Sequence, residues 1–132
     1  MKRLLLMMLL CIISITSFAQ IINFETTSYT YKTYNGYTWS KWAPYQSSSM
    51  LITIDIDRDL VIIDSPKTQI YKITDYVGMY TDNDGDTTME FKFIDQDRDR
   101  GTMRLVQRRN GKSEIYIDFA NVIFVYSIRR LY

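Results

Sequence analysis

Residues 51–59 read LITIDIDRD, with apolar and polar side chains alternating from Leu51 to Asp57. In an extended chain successive side chains point to opposite faces. Ile52, Ile54 and Ile56 therefore share one face, and Thr53, Asp55 and Asp57 share the other. This period of two predicts a strand with one buried side. The pattern repeats along the chain. In TTMEFKFID, Met89, Phe91 and Phe93 oppose Glu90 and Lys92. In SEIYIDFA, Ile115, Ile117 and Phe119 oppose Glu114, Tyr116 and Asp118. NVIFVYSI is apolar on both faces from Val122 to Val125, as expected of a strand that is central or covered on both sides. After the first 20 residues no run of ten or more shows helical spacing.

Turn chemistry separates these runs. Asp57-Arg58-Asp59, Ser65-Pro66-Lys67, Asp84-Gly85, the loop from Asp95 to Gly101, Asn110-Gly111 and Ala120-Asn121 each interrupt an apolar stretch. Asp-Gly and Asn-Gly favour tight hairpins because glycine accepts a positive φ. The spacing predicts strands at 22–33, 36–44, 50–57, 60–64, 68–77, 86–95, 101–109 and 113–119, with 121–130 a possible ninth. The expected fold is all-β: an antiparallel meander of about eight strands forming a small barrel or barrel-like sheet. A two-layer β-sandwich is the alternative. A barrel hides its strand edges most completely.

The N-terminus, MKRLLLMMLLCIISITSFAQ, has the layout of a secretory signal peptide. Lys2 and Arg3 precede a 12-residue apolar run from Leu4 to Ile15, and Ser17-Phe18-Ala19 supplies small residues where a signal peptidase reads. The run is too short to span a bilayer, which takes about 20 residues. Residues 1–19 are thus expected to be removed, leaving 20–132 as a single domain of 132 − 19 = 113 residues with no transmembrane span. Lipoprotein processing at Cys11 is the alternative, disfavoured by Leu10 where a small residue is wanted. Export to the periplasm or the extracellular space is the expectation.

The formal charge is +1, and loss of Lys2 and Arg3 takes it to +1 − 2 = −1. Neither value favours nucleic acid as a partner. The chain has no histidine, and its one cysteine, Cys11, leaves with the signal. A Ser-His-Asp triad, a Cys-His pair and an ordinary zinc site are excluded. There is no glycine-rich phosphate loop. No cofactor is implied. A carboxylate-pair enzyme acting on glycans would need turn aspartates such as Asp82 and Asp95 together, and a meander puts those two turns at opposite ends.

TDNDGDTTME, residues 81–90, looks like a calcium loop, with Asp82, Asp84 and Asp86 as the ligand candidates. With Gly85 at position six of an EF-hand, Tyr80 falls at position one and Phe91 at position twelve, where carboxylates belong. The match fails at its strongest ligands, and a hairpin turn explains the same residues. Turns of a meander alternate between its ends. Asp57 and Asp59 are therefore expected near Asp82, Asp84 and Asp86, with Arg108, Arg109 and Lys112 there to neutralise them. IDQDRDRG, residues 94–101, imitates a calcium loop less closely, with its glycine one place late.

The most unusual composition is YTYKTYNGYTWSKWAPY, residues 29–45. Packing of a hairpin by cross-strand aromatic pairs is one expectation. The other is a binding surface made by Tyr37, Trp39, Trp42 and Tyr45, since aromatic faces with polar edges stack on sugars or grip a protein. Trp39 and Trp42 are three apart, so on a regular strand one would be core and one exposed.

WSKW, the ITIDID strand, TQIYKI, the DxDGD turn and the terminal IYIDF…VIFVY hairpin together resemble short exported proteins of unknown function from Bacteroidota-type bacteria. The resemblance implies an envelope or secreted location and no particular activity. The functional expectation is an exported binding or interaction module whose partner is a glycan, a lipid or an envelope protein. A third expectation is an assembly role in which the apolar last strand pairs with a neighbour.

Overall fold

The structure, a computed structural model, describes residues 21–131. The expected leader, including Cys11, lies outside them. Nine strands run in chain order: β1 Ile21–Thr33, β2 Gln46–Ser47, β3 Leu51–Asp55, β4 Leu60–Asp64, β5 Gln69–Thr81, β6 Thr87–Asp95, β7 Arg100–Gln107, β8 Ser113–Asp118 and β9 Val122–Leu131. Antiparallel neighbours follow the order β1-β3-β4-β5-β6-β7-β8-β9, and β9 returns to β1. That last seam runs from Asn23↔Leu131 to Thr33↔Val122, with one irregularity between Thr26 and Ser28. The meander therefore closes into an eight-stranded barrel, and β2 is a short addition on β1. The sandwich alternative gives way to the barrel.

Period-two patterning fills the interior. Ile22, Phe24, Ile52, Ile54, Val61, Ile63, Phe91, Phe93, Met103, Ile115 and Ile117 are all buried in one core. Residues directly opposite across antiparallel strands share a face. Ile115 pairs with Tyr126 and Tyr126 with Tyr29, and all three point inward or pack on the core. The next row outward is Arg104, Tyr116, Val125 and Thr30 on β7, β8, β9 and β1. β9 is hydrogen-bonded on both edges, to β8 and to β1, so it presents no open edge for pairing with a neighbour.

Two expectations need correction. The predicted strand at 36–44 does not form. Only an isolated bridge, Tyr34↔Trp39, and the two-residue β2 mark the return. The reason is geometric: β3 pairs only with Ile21–Glu25 of β1, leaving the rest of that edge of β1 to be covered by the segment 34–50. That segment does so with irregular bonds: Ser40 N–H to Thr33 O at 2.8 Å, Ala43 N–H to Tyr31 O at 2.8 Å, and Ser48 N–H to Thr27 O at 3.1 Å. Pro44 lacks an N–H and could not continue a ladder.

The second correction concerns the acidic turns. Leu60 pairs with Lys72, but β5 continues to Thr81. Nine further residues carry the β5–β6 turn roughly 30 Å along β5 from the β3–β4 turn, at about 3.3 Å per residue. Asp57 and Asp59 therefore do not meet Asp82, Asp84 and Asp86. Asp59 instead accepts a hydrogen bond from the Tyr76 hydroxyl at 2.9 Å.

Candidate functional site

The two acidic loops are answered by their backbone bonds. Asp82 N–H donates to Asp86 O at 3.0 Å, Gly85 N–H to Asp82 O at 3.1 Å, and Asp82 Oδ1 accepts the N–H groups of Asp84 and Asp86 at 2.9 and 3.0 Å. The loop 95–99 repeats the arrangement. Asp95 N–H donates to Asp99 O, Arg98 N–H to Asp95 O, and Asp95 Oδ1 accepts from Asp97 and Asp99. Gly85 at φ 85° and Arg98 at φ 66° occupy the same left-handed position. These are hairpin loops in which the first aspartate orders the turn by accepting backbone N–H groups.

The Asp86 carboxylate is also committed. It takes the Arg109 N–H at 2.9 Å and the Arg108 guanidinium at 3.0 Å. Arg108 in turn holds Glu114 at 2.7 Å and the Tyr116 hydroxyl at 3.0 Å. The calcium candidates Asp82, Asp84 and Asp86 thus do not converge on a common point. The expected neutralisation is met at Asp86, by the Arg108 guanidinium; Arg109 contributes its backbone N–H there. Among the described residues, only Asp95, Asp97 and Asp99 bring three carboxylates within 4.8 Å of one another. Asp82 and Asp95 sit at opposite ends of β6, too far apart to act as an acid–base pair.

These bonds have a pH signature. The Arg109 N–H first, and Arg108 second, hold the Asp86 carboxyl below its ordinary value. A lowered folded pKa adds stability that is fully present above the unfolded value of about 3.9. That stability is lost as pH falls through the lowered value. Melting curves of wild type and Asp86→Asn between pH 7 and pH 2 are expected to differ by a constant amount from neutrality down to about pH 4, and to draw together as pH falls further. A constant difference down to pH 2 would show that Asp86 is held by something other than its charge.

The aromatic segment makes a different kind of surface. Tyr37 is 92% exposed, Trp39 36%, Trp42 44% and Tyr45 60%. Neither tryptophan is core, which corrects the expectation that one would be. The expectation assumed a regular strand, and the irregular path from Asn35 to Pro44 breaks its alternation. Both indoles instead flank Lys32, an outward-facing residue of β1. Its Nζ lies 4.6 Å from the Trp42 ring centre and 5.5 Å from that of Trp39. Tyr34 tilts against Trp39 with ring centres 5.3 Å apart. Asn35 Oδ1 accepts the N–H groups of Tyr37 and Thr38 at 2.9 and 3.0 Å, which fixes the tip.

The same surface continues around the barrel. Thr30 and Val125 point outward yet are each only 2% exposed. The returning segment reaches Thr30, whose hydroxyl donates to the Ala43 carbonyl. Burial first, then the Glu114 charge, pushes the Tyr116 hydroxyl above its ordinary pKa. Tyr45 is close enough to Tyr116 to figure, last, among the causes that raise it. The Arg104 guanidinium lies 4.4 Å over the Tyr116 ring and is paired with Asp118 at 3.1 Å. Trp39, Trp42, Lys32, Tyr45, Tyr116 and Arg104 therefore line one flank of the barrel. Tyr37, Trp39, Trp42 and Tyr45 were legible as candidates; Lys32 was not, because the irregular path of 34–50 sets it between the indoles, and Tyr116 and Arg104 were not, because only barrel closure brings them alongside.

A polar cleft lined by Thr27, Ser28, Arg108, Lys112, Glu114 and Ser127 adjoins this flank on the same wall, Arg108 bonding both Glu114 and Tyr116. Its arginine and carboxylate, Arg108 and Glu114, are bonded to each other. Among the described residues no helix is long and apolar enough to cross a membrane. Comparison with protein-family models, with curated proteins and with solved structures finds no match to the chain.

Proposed function

We propose that this protein is an exported binding module that grips a glycan on its aromatic flank. One observation carries the reading: both tryptophans are solvent-facing and lie on the same side of β1, around Lys32. Large aromatic rings left half in water on a scaffold with a filled core are not needed for packing. Rings with polar edges offer flat apolar area to the C–H face of a sugar while keeping their hydrogen-bonding ends wet. A rigid closed barrel supports such a surface at little entropic cost on binding. The interior is occupied by side chains, which supports the flank over the lumen as the contact face.

The test is affinity electrophoresis of the exported chain through gels holding neutral and acidic polysaccharides in turn. At least one polysaccharide should retard wild type. Trp39→Ala and Trp42→Ala should each weaken that retardation at least tenfold, about 1.4 kcal/mol. Surface truncations of this kind cost only about 0.5 kcal/mol of stability, so melting temperatures should hold within a few degrees. If both variants unfold, the rings are structural and the reading is wrong. Retardation that survives both substitutions would move the site elsewhere.

A further inference from the structure

We propose that the glycan is anionic, bearing carboxylate or sulfate groups, and that Lys32 with Lys41 selects it; this rests on the aromatic flank being the contact surface. Charge placement favours such a ligand. Residues 26–54 contain Lys32 and Lys41 and no aspartate or glutamate, although the chain as a whole carries 15 acidic residues against 16 basic ones. The acids of β1 and β8 are already taken by arginines. Asp118 is bound by Arg104 at 3.1 Å, Glu114 by Arg108 at 2.7 Å and Glu25 by Arg129 at 2.9 Å. Among the described residues neither Lys32 nor Lys41 is paired with a carboxylate. The flank therefore presents positive charge whose counter-ion the protein does not supply.

The position of Lys32 favours the same ligand. The Lys32 ammonium sits against the faces of both indoles, 4.6 and 5.5 Å from their centres. Cation–π contacts hold it there without consuming its three N–H donors. Lys32 takes one face of each indole, so a sugar stacks on the other face, and a substituent that passes the indole edge meets that ammonium. If the substituent is an acid, stacking and charge pairing are satisfied by one pose. A neutral sugar would have to desolvate the ammonium with no charged partner to offset the cost. Single-stranded nucleic acid also pairs stacking with charge. However, a nucleic-acid binder carries a basic excess along the track of the strand, and this chain has 16 basic against 15 acidic residues. A bilayer is disfavoured because the surface lies along the barrel wall, interleaved with Thr38 and Ser40, and does not end in an apolar tip.

The experiment uses the exported chain with four probes: polygalacturonate, fully methyl-esterified polygalacturonate, chondroitin sulfate and dextran. Affinity electrophoresis should show retardation by polygalacturonate or chondroitin sulfate, and at least tenfold weaker retardation by the ester and by dextran. Raising salt from 50 to 500 mM should weaken the acidic interaction severalfold. Lys32→Met keeps the apolar stem on the indoles and should lose at least fivefold. Lys32→Arg keeps the charge and should retain binding. Lys41→Met should lose less, since that side chain is exposed and rests on neither indole. Equal retardation by polygalacturonate and its ester, unaffected by Lys32→Met, overturns the charge selection but leaves the aromatic surface standing. Retardation by acidic polymers that survives Trp39→Ala and Trp42→Ala overturns both readings. Binding to none of the four polymers, with or without binding to vesicles of phosphatidylcholine and 20% phosphatidylglycerol, also overturns the proposal.

Discussion

Phe93→Ala is expected to cost about 4 kcal/mol, the largest loss available from one side chain in this barrel. Truncating a buried phenylalanine typically costs 3–5 kcal/mol, from lost transfer free energy and the cavity left behind. Phe93 belongs in the upper part of that range. It is 1% exposed and meets two other rings edge-on, Tyr71 at 4.9 Å and 83° and Phe119 at 5.4 Å and 81°. Each such pair adds about 0.5–1.5 kcal/mol beyond its buried area. Natural domains hold only about 5–15 kcal/mol in total, so the variant should sit near the edge of folding. The melting temperature should fall by about 15 °C. Urea titration followed by far-UV circular dichroism is the right measurement. Both tryptophans face solvent, so their fluorescence reports the flank more than the core. A lower midpoint at unchanged slope is the expected result. A loss under about 1.5 kcal/mol would mean that the three-ring cluster does not bear on barrel closure.

What the sequence revealed follows from the range of the forces involved. Alternation is local, so Ile52 and Ile54, Phe91 and Phe93, and Ile115 and Ile117 could be assigned to one face before any partner was known. Turn residues are local too, and Asp84-Gly85 and Asn110-Gly111 marked hairpins that formed. Closure is not local. The β1–β9 seam joins residues about a hundred positions apart, and nothing in either strand alone names the other. Val122 to Val125, apolar on both faces, was the one hint: Val125 is buried although it points outward. The 36–44 strand failed for a related reason. Asn35-Gly36 correctly marked a reversal, but the partner edge left by the short β3 was filled by a chain rich in Ser and interrupted by Pro44. A spacing rule for Trp39 and Trp42 that holds on a strand therefore did not hold there. The sandwiching of Lys32 between them depends on that irregular path.

Gly101→Ala is expected to cost about 3 kcal/mol, and the reason is close approach rather than backbone conformation. A Cβ at this position would lie 2.5 Å from the Asp118 carbonyl oxygen and 2.6 Å from Phe93 Cζ, with Phe93 Cε2 at 3.0 Å. Gly101 is the cross-strand partner of Phe93, and the ring rests on the space a side chain would take. Overpacking a core typically costs 1–3 kcal/mol, and here one of the two obstacles is backbone that cannot rotate away. Gly78→Ala is the matched control. Nothing lies within 4 Å of its Cβ position, so the change should stay within about 0.5 kcal/mol of neutral. A double-mutant cycle separates the two obstacles. With Phe93 cut to alanine the ring contacts vanish but the Asp118 oxygen remains at 2.5 Å. The cost of Gly101→Ala should then fall by at least about 1 kcal/mol without reaching zero, a coupling typical of touching residues. Strict additivity would show that the ring is not what fills the space over Gly101. A cost that disappears entirely would show that β8 can move aside, and that the wall between β7 and β8 is softer than its register implies.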